Sequence, residues 1–107
     1  MKALNLSQSE FTQLTGDNKP VLVDFWAPWC TYCRRIGPAY DKLAEQMGEA
    51  LTFAKVNIDE EPELARQEQI EVIPTLVLYR GGQALGSMVA PESKAKIEEF
   101  LEETLGK

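Results

Sequence analysis

The sequence predicts an α/β fold in which one mixed sheet is covered by helices on both faces. Three observations carry this prediction. Short apolar runs alternate with segments of helical period along the chain. Val21-Leu22-Val23-Asp24-Phe25-Trp26 is almost continuously apolar, as a central strand buried on both faces requires. Late in the chain, Gly81-Gly82 separates two strand-like runs and marks a tight hairpin.

The elements follow in order. Ala3 to Leu6 reads as a short strand. Ser7-Gln8-Ser9-Glu10 matches a capping box, in which the serine and the glutamate satisfy each other's free backbone N–H groups. Phe11 and Leu14 give that helix an inward face, and Gly16 is its expected stop. After the strand from Val21 to Trp26, a helical period begins at Thr31. Ile36, Tyr40, Leu43, Ala44 and Met47 share one face, Pro38 lies inside and is expected to kink the helix, and Gly48 ends it. Leu51 to Ile58 is the next strand. Pro62 suits the first turn of a helix running to about Gln69. Thr75 to Tyr79 and Gln83 to Val89 form the hairpin. A final helix is expected from about Glu92, with Ile97, Phe100, Leu101 and Leu105 as its buried stripe. The early strands should run parallel and the last two antiparallel.

Residues 1–107 are expected to form a single domain, large enough for one core without staples. A net charge of −6 argues against nucleic acid, which needs a basic stripe, and against an anionic membrane surface. No apolar run is long enough to span a bilayer. Met1 to Leu6 holds neither an apolar signal core nor a small-residue cleavage site, so the expected location is cytoplasmic. In a reducing cytosol a cysteine pair is catalytic or metal-binding more often than it is a structural staple.

Cys30 and Cys33 are the only cysteines. Their Cys-x-x-Cys spacing at a strand-to-helix junction is that of a redox-active dithiol. The attacking species is a thiolate, and a free cysteine with pKa about 8.5 is mostly protonated at neutral pH. Cys30 sits where the helix begins, so unpaired backbone N–H groups and the helix dipole favour its anion. That makes Cys30 the nucleophile and Cys33, one turn further in, the resolving thiol. A structural zinc site needs four ligands, and the chain has no histidine and no third cysteine, so no metal is expected. A metal or iron–sulfur cluster shared between two chains is the alternative. Asp24 lies among Val23, Phe25 and Trp26. Burial would raise its pKa and suit it to accept a proton from a nearby thiol. The alternative is an alternating strand with Asp24 in water, which so apolar a run disfavours. Lys55, on the neighbouring strand, is placed to approach Asp24; taken alone it reads as a surface lysine. Ile73-Pro74-Thr75 opens a strand, with Pro74 either trans or cis.

Phe25-Trp26-Ala27-Pro28-Trp29-Cys30, then Cys33 and Pro38, resemble the active-site segment of the thioredoxin family. Lys55-Val56-Asn57-Ile58-Asp59, Ile73-Pro74-Thr75 and Gly81-Gly82 fall at thioredoxin-like spacings, so the resemblance covers essentially the whole chain. It implies a thioredoxin fold, a central five-stranded mixed sheet flanked by four helices. It also implies roles: Cys30 as nucleophile, Cys33 as resolving thiol, Asp24 as proton-transfer carboxylate with Lys55 beside it. Pro74 would be the cis-proline facing the disulfide, where an extended substrate strand docks against the free polar groups of its neighbours. Trp26 would pack beneath the site, and Trp29, Ile58 and Ile73 would rim the docking surface.

Two departures bear on partners. Thioredoxins usually carry Gly-Pro between the cysteines, and here the pair is Thr31-Tyr32. The replaced proline returns a backbone donor near Cys30, and Thr31 adds a hydroxyl. Both are expected to stabilise the thiolate and make the disulfide more oxidising, by about 30 mV for each 1.4 kcal/mol. Tyr32 puts a bulky aromatic where partners approach. The second departure is Ala90, where the family usually has a glycine beside the groove; its methyl is expected to narrow the groove. Arg34 is placed to approach Cys30 one turn along the helix, although Arg34 and Arg35 also fit a solvated face.

The expected function is that of a thiol–disulfide oxidoreductase reducing protein disulfides, itself without a cofactor. Electrons would come from a separate thioredoxin-reductase-type donor, an NADPH-dependent flavoprotein, since no glycine-rich nucleotide loop is present. A monomer is expected, with no nucleic-acid or membrane partner. The alternatives are a more oxidising disulfide oxidase or isomerase of the same fold, and a binding or cluster-bridging scaffold.

Overall fold

A computed structural model describes residues 3–106. Among them, the order is β1 (Leu4–Asn5), α1 (Gln8–Thr15), β2 (Val21–Trp26), α2 (Thr31–Met47), β3 (Thr52–Asn57), α3 (Pro62–Gln67), β4 (Thr75–Arg80), β5 (Gln83–Val89) and α4 (Lys94–Leu105). Met1 and Lys2, which enter the expectation about a leader, lie outside the described residues.

The strands form one sheet in the order β1-β3-β2-β4-β5. β1 and β2 run parallel to β3, whereas β4 runs antiparallel to both β2 and β5. This is the mixed sheet with four helices that the alternation predicts. β2 is central, and Val21 to Phe25 are all buried.

Side chains alternate across β2, so its residues divide between two cores. Val21, Val23 and Phe25 join Phe11, Leu64 and Val77 on one face. Leu22 joins Tyr40, Leu43, Phe53, Leu76, Ile97 and Leu101 on the other, beneath α2 and α4. Each fully buried Leu or Phe here is worth about 1.5–3 kcal/mol. The same alternation assigns Asp24 to the α2 face, and Lys55 shares that face because Phe53 and Lys55 have the same parity on β3.

The element ends have local causes. The Ser7 capping box forms, with both reciprocal bonds present. α1 stops at Gly16, although its φ of −79° does not use glycine's left-handed freedom. Gly48 closes α2 because a Cβ there would lie 2.6 Å from the Ala44 carbonyl oxygen. The hairpin turns on Gly81 and Gly82, with φ of 61° and 81°, as a two-residue turn between paired Arg80 and Gln83 requires.

Two helix boundaries differ from the sequence expectation. α3 ends at Gln67 rather than about Gln69. Gln69 adopts φ 60°, and the Gln69 and Ile70 N–H groups donate back to Arg66 and Ala65 at 3.1 and 2.9 Å, a Schellman end without glycine. α4 begins at Lys94 rather than about Glu92, because Ser93 caps it by accepting from the Lys96 N–H at 3.2 Å. α2 is a continuous helix through Pro38, which withholds only the N–H that would have met the Arg34 carbonyl.

Tyr40 ties α2 to the sheet. Its fully buried hydroxyl lies 2.8 Å from the Leu22 and Ala54 carbonyl oxygens, one on each of two neighbouring strands. Replacing Tyr40 with Phe leaves both carbonyls without this donor. The expected cost is about 1–2 kcal/mol. Urea unfolding should show a lowered midpoint with an unchanged slope; a midpoint equal to wild type would refute the tie.

Candidate active site

The end of β2 delivers the chain to the start of α2, and the cysteines lie there. Cys30 is the N-cap of α2. Cys30 and Cys33 are joined as a disulfide, with Cα atoms 5.2 Å apart. The Cys33 N–H donates to Cys30 Sγ at 3.1 Å, as the third helical residue does to a capping atom. In this disulfide form the donor to Cys30 Sγ is the Cys33 amide. Residue exposure is 8% at Cys30 and 3% at Cys33.

Pro74 is cis and faces this pair from the start of β4. The Ile73 carbonyl oxygen lies 4.0 Å from Cys30 Sγ. The Pro74 carbonyl is not free, because it accepts from the Ala90 N–H at 2.8 Å. Ala90 has φ 45°, in the left-handed region that disfavours a Cβ. Tyr32 is half-buried, and its hydroxyl donates to the Pro91 carbonyl at 2.8 Å. The ring is thus anchored to the loop after β5 rather than standing free. The Arg35 guanidinium lies 5.9 Å from its centre, and Arg34 is exposed.

Around the disulfide the surface is apolar. Trp29 is 65% exposed, with its indole N–H donating to Asp59 Oδ1 at 3.2 Å. Ile58 and Ile73 are half-buried, and Thr31 is exposed. Val72 and Val89, on the segments that carry Ile73 and Ala90, are 54% and 53% exposed. Sequence reading passed over both, since an isolated valine beside a strand looks like strand.

Behind Cys33 lies a cleft of about 380 Å³, lined by Asp24, Trp26 and Lys55 of the sheet and Cys33, Gly37 and Asp41 of α2, with Pro38 at its edge. Asp24 is 2% exposed, and its Oδ1 has no hydrogen-bond partner. Burial pushes its pKa up from 3.8 to about 7, against the opposing pull of Lys55 and with a smaller push from Asp41. Asp24 and Lys55 are register partners, as expected. The Lys55 ammonium, however, pairs with Asp41 Oδ1 at 3.9 Å and sits 5.6 Å from the Trp26 ring centre. Asp41 was missed in sequence, yet Cys33, Gly37 and Asp41 recur every fourth residue and so share a helix face. Among the described residues, no three His, Cys, Asp or Glu side chains converge as metal ligands would.

Two predictions follow from this geometry. Asp24 has a higher pKa folded than unfolded, so its contribution to stability is fully present below about pH 3.8 and is lost as pH rises through about 7. Asp24→Asn should therefore stabilise the protein by about 2.5 kcal/mol more at about pH 8 than at about pH 5. Urea unfolding at both pH values checks this, and an equal effect at both would refute the raised pKa. Ala90→Gly should stabilise by about 1 kcal/mol by relieving the left-handed backbone. Thermal unfolding measures it, and a loss of stability would show that the alanine is not strained.

Comparison with known proteins identifies the family. The thioredoxin family model matches residues 2–103. A thioredoxin from Alicyclobacillus acidocaldarius is 39% identical over 102 residues, covering 95% of this chain and 97% of that one. A bifunctional thioredoxin reductase/thioredoxin from Mycobacterium leprae is 42% identical over 89 residues, covering 83% of this chain but 19% of that longer protein. The crystal structure of a Malassezia sympodialis thioredoxin superposes with a TM-score of 0.87 at 31% identity, covering 97% of this chain and 92% of that one. The redox-active cysteine pair, the five-stranded sheet and these relatives make the chain a member of the thioredoxin family and a thiol–disulfide oxidoreductase.

Proposed function

We propose that the chain works as a protein disulfide reductase, with Cys30 attacking and Cys33 resolving. The observation that carries this is the division between the two sulfurs. Cys30 caps α2 and accepts an amide hydrogen bond, while Cys33 is the more buried and borders the cleft that holds Asp24. A hydrogen bond to sulfur at a helix N-terminus favours its anion.

The Cys30 thiolate attacks one sulfur of a substrate disulfide, breaking the S–S bond and releasing the other sulfur as a thiolate that takes up a proton. Cys33 then passes its proton to the Asp24 carboxylate, and its sulfur attacks Cys30 in the mixed disulfide. The second substrate thiolate leaves and is protonated. Two electrons pass from the dithiol to the substrate, and the chain ends as the Cys30–Cys33 disulfide. An acid with pKa about 7 is near the optimum for accepting and returning a proton at neutral pH.

Substrate strands dock over Trp29, Ile58, Ile73 and Pro74, with Val72 and Val89 extending the apolar contact. Thr31, Tyr32 and Ala90 bound the groove, and Trp26 and Pro38 support it from beneath. Lys55 tunes Asp24. The electron donor is a separate thioredoxin-reductase-type flavoprotein using NADPH; the combined name of the Mycobacterium leprae relative supports that pairing. The chain needs no bound cofactor, acts as a monomer and serves redox homeostasis in the cytoplasm. That no helix among the described residues is long and apolar enough to cross a membrane is consistent with this setting.

Insulin reduction with dithiothreitol tests the assignment. Cys30→Ser should lose at least about 100-fold in rate, and Cys33→Ser should accumulate a mixed disulfide through Cys30. Full activity in Cys30→Ser would overturn the mechanism. Equilibration against a redox buffer tests direction: a potential near about −270 mV supports a reductase, and one near about −120 mV an oxidase.

A further inference from the structure

We propose that Asp41 is a positioning residue that acts through Lys55, holding the lysine ammonium at the mouth of the cleft behind Cys33 and so away from the buried Asp24 carboxyl. The positioning stands on geometry alone. Its consequence for turnover rests on the proton-transfer role proposed above for Asp24.

Lys55 has two carboxyl groups within its reach. Asp24 is its register partner on the adjacent strand, on the same face of the sheet. Asp41 reaches it from α2, where the ammonium sits 3.9 Å from Asp41 Oδ1. Fully ionised and close, the Asp24–Lys55 pair would satisfy Asp24. Instead Asp24 Oδ1 is buried without a partner. The ammonium lies 5.6 Å from the Trp26 ring centre and beside Asp41, where the Lys55 and Asp41 side chains are 20% and 33% exposed. An ammonium near water costs less than one beside a buried acid.

The groups facing Asp24 bear on its titration. Lys55 approaches from β3 and Asp41 from α2. Arg34 of α2 also borders the cleft but is exposed. Tyr40 of α2 stays neutral, because burial drives its pKa well above the ordinary value. The paired residue on β4 is the uncharged Leu76. Removing the Asp41 charge therefore acts on Asp24 in one direction twice: a nearby anion disappears, and a cation is released towards it. Both ease ionisation of Asp24.

The test is an NMR titration of the Asp24 carboxyl carbon in the oxidised protein, where the disulfide cysteines do not titrate. Wild type, Asp41→Asn, Lys55→Met and the double variant are compared. Asp41→Asn should lower the Asp24 midpoint by about one pH unit, and Lys55→Met should raise it. In the Lys55→Met background, the effect of Asp41→Asn should fall to less than half. An unmoved midpoint in Asp41→Asn overturns the proposal. So does a shift of equal size with and without Lys55, because Asp41 would then act directly. A purely structural role for Asp41 would alter unfolding but not this midpoint. The pH profile of mixed-disulfide resolution is read alongside. If it moves with the Asp24 midpoint, both assignments stand. If the midpoint moves and the rate profile does not, Asp41 retains its positioning role and the proton-transfer role of Asp24 falls.

Discussion

The hold of α2 on the central strand governs the rest of the molecule. A single buried hydroxyl, that of Tyr40, sits between carbonyls of β2 and β3. It fixes both the height and the rotation of α2 over the sheet. Once those are fixed, helical spacing decides everything above. Counting back from Tyr40, the first turn meets the end of β2, so the cap falls on Cys30 and the third residue on Cys33. Counting from Cys33 in fours along the same face, Gly37 and Asp41 come to lie over Asp24 and Lys55. A rotation of one residue, about 100°, would carry Asp41 off the cleft.

Against that frame the electrostatics have a definite sense. Placing an acid on the buried face of a central strand is unfavourable, and the protein keeps it there without a hydrogen bond to Oδ1. Lys55 pulls its pKa down without cancelling the effect of burial, and its ammonium also pairs with Asp41. The result is a carboxyl near half-ionisation at neutral pH, at the wall of a cleft that also exposes Cys33. Stability is lower than an apolar residue would allow, and a carboxyl that ionises near neutral pH is retained.

Much of this was legible in the sequence, and the exceptions have physical reasons. The central strand, the hairpin, the capping box and the cysteine pair all rest on strong local chemistry. Asp24 was legible because a charge inside an apolar run admits few placements. Gln69 was not, since its left-handed turn at the end of α3 lacks the glycine that usually announces one. The start of α4 was read early because Glu92 resembles a first-turn acid, whereas the capping hydroxyl belongs to Ser93. Asp41 was hidden by its ordinary look on an exposed helix, as its meaning depends on a strand whose position only packing reveals. Val72 and Val89 likewise became informative only when their exposure was known.

Tyr32 shows why the pair between the cysteines reaches beyond them. From sequence, its effect was to be local: a restored amide beside Cys30 and a bulky ring facing partners. In the disulfide form the amide that meets Cys30 is that of Cys33, an arrangement any helix N-terminus offers. The Tyr32 hydroxyl goes to the Pro91 carbonyl, next to Ala90, whose own N–H holds the Pro74 carbonyl. Three segments far apart in sequence are thereby linked in series: the first turn of α2, the loop after β5 and the start of β4. A residue without a hydroxyl at position 32 would leave the loop after β5 held to β4 alone. Its influence is therefore expected in the shape of the docking groove, where Ala90 also sits, more than in the charge at Cys30.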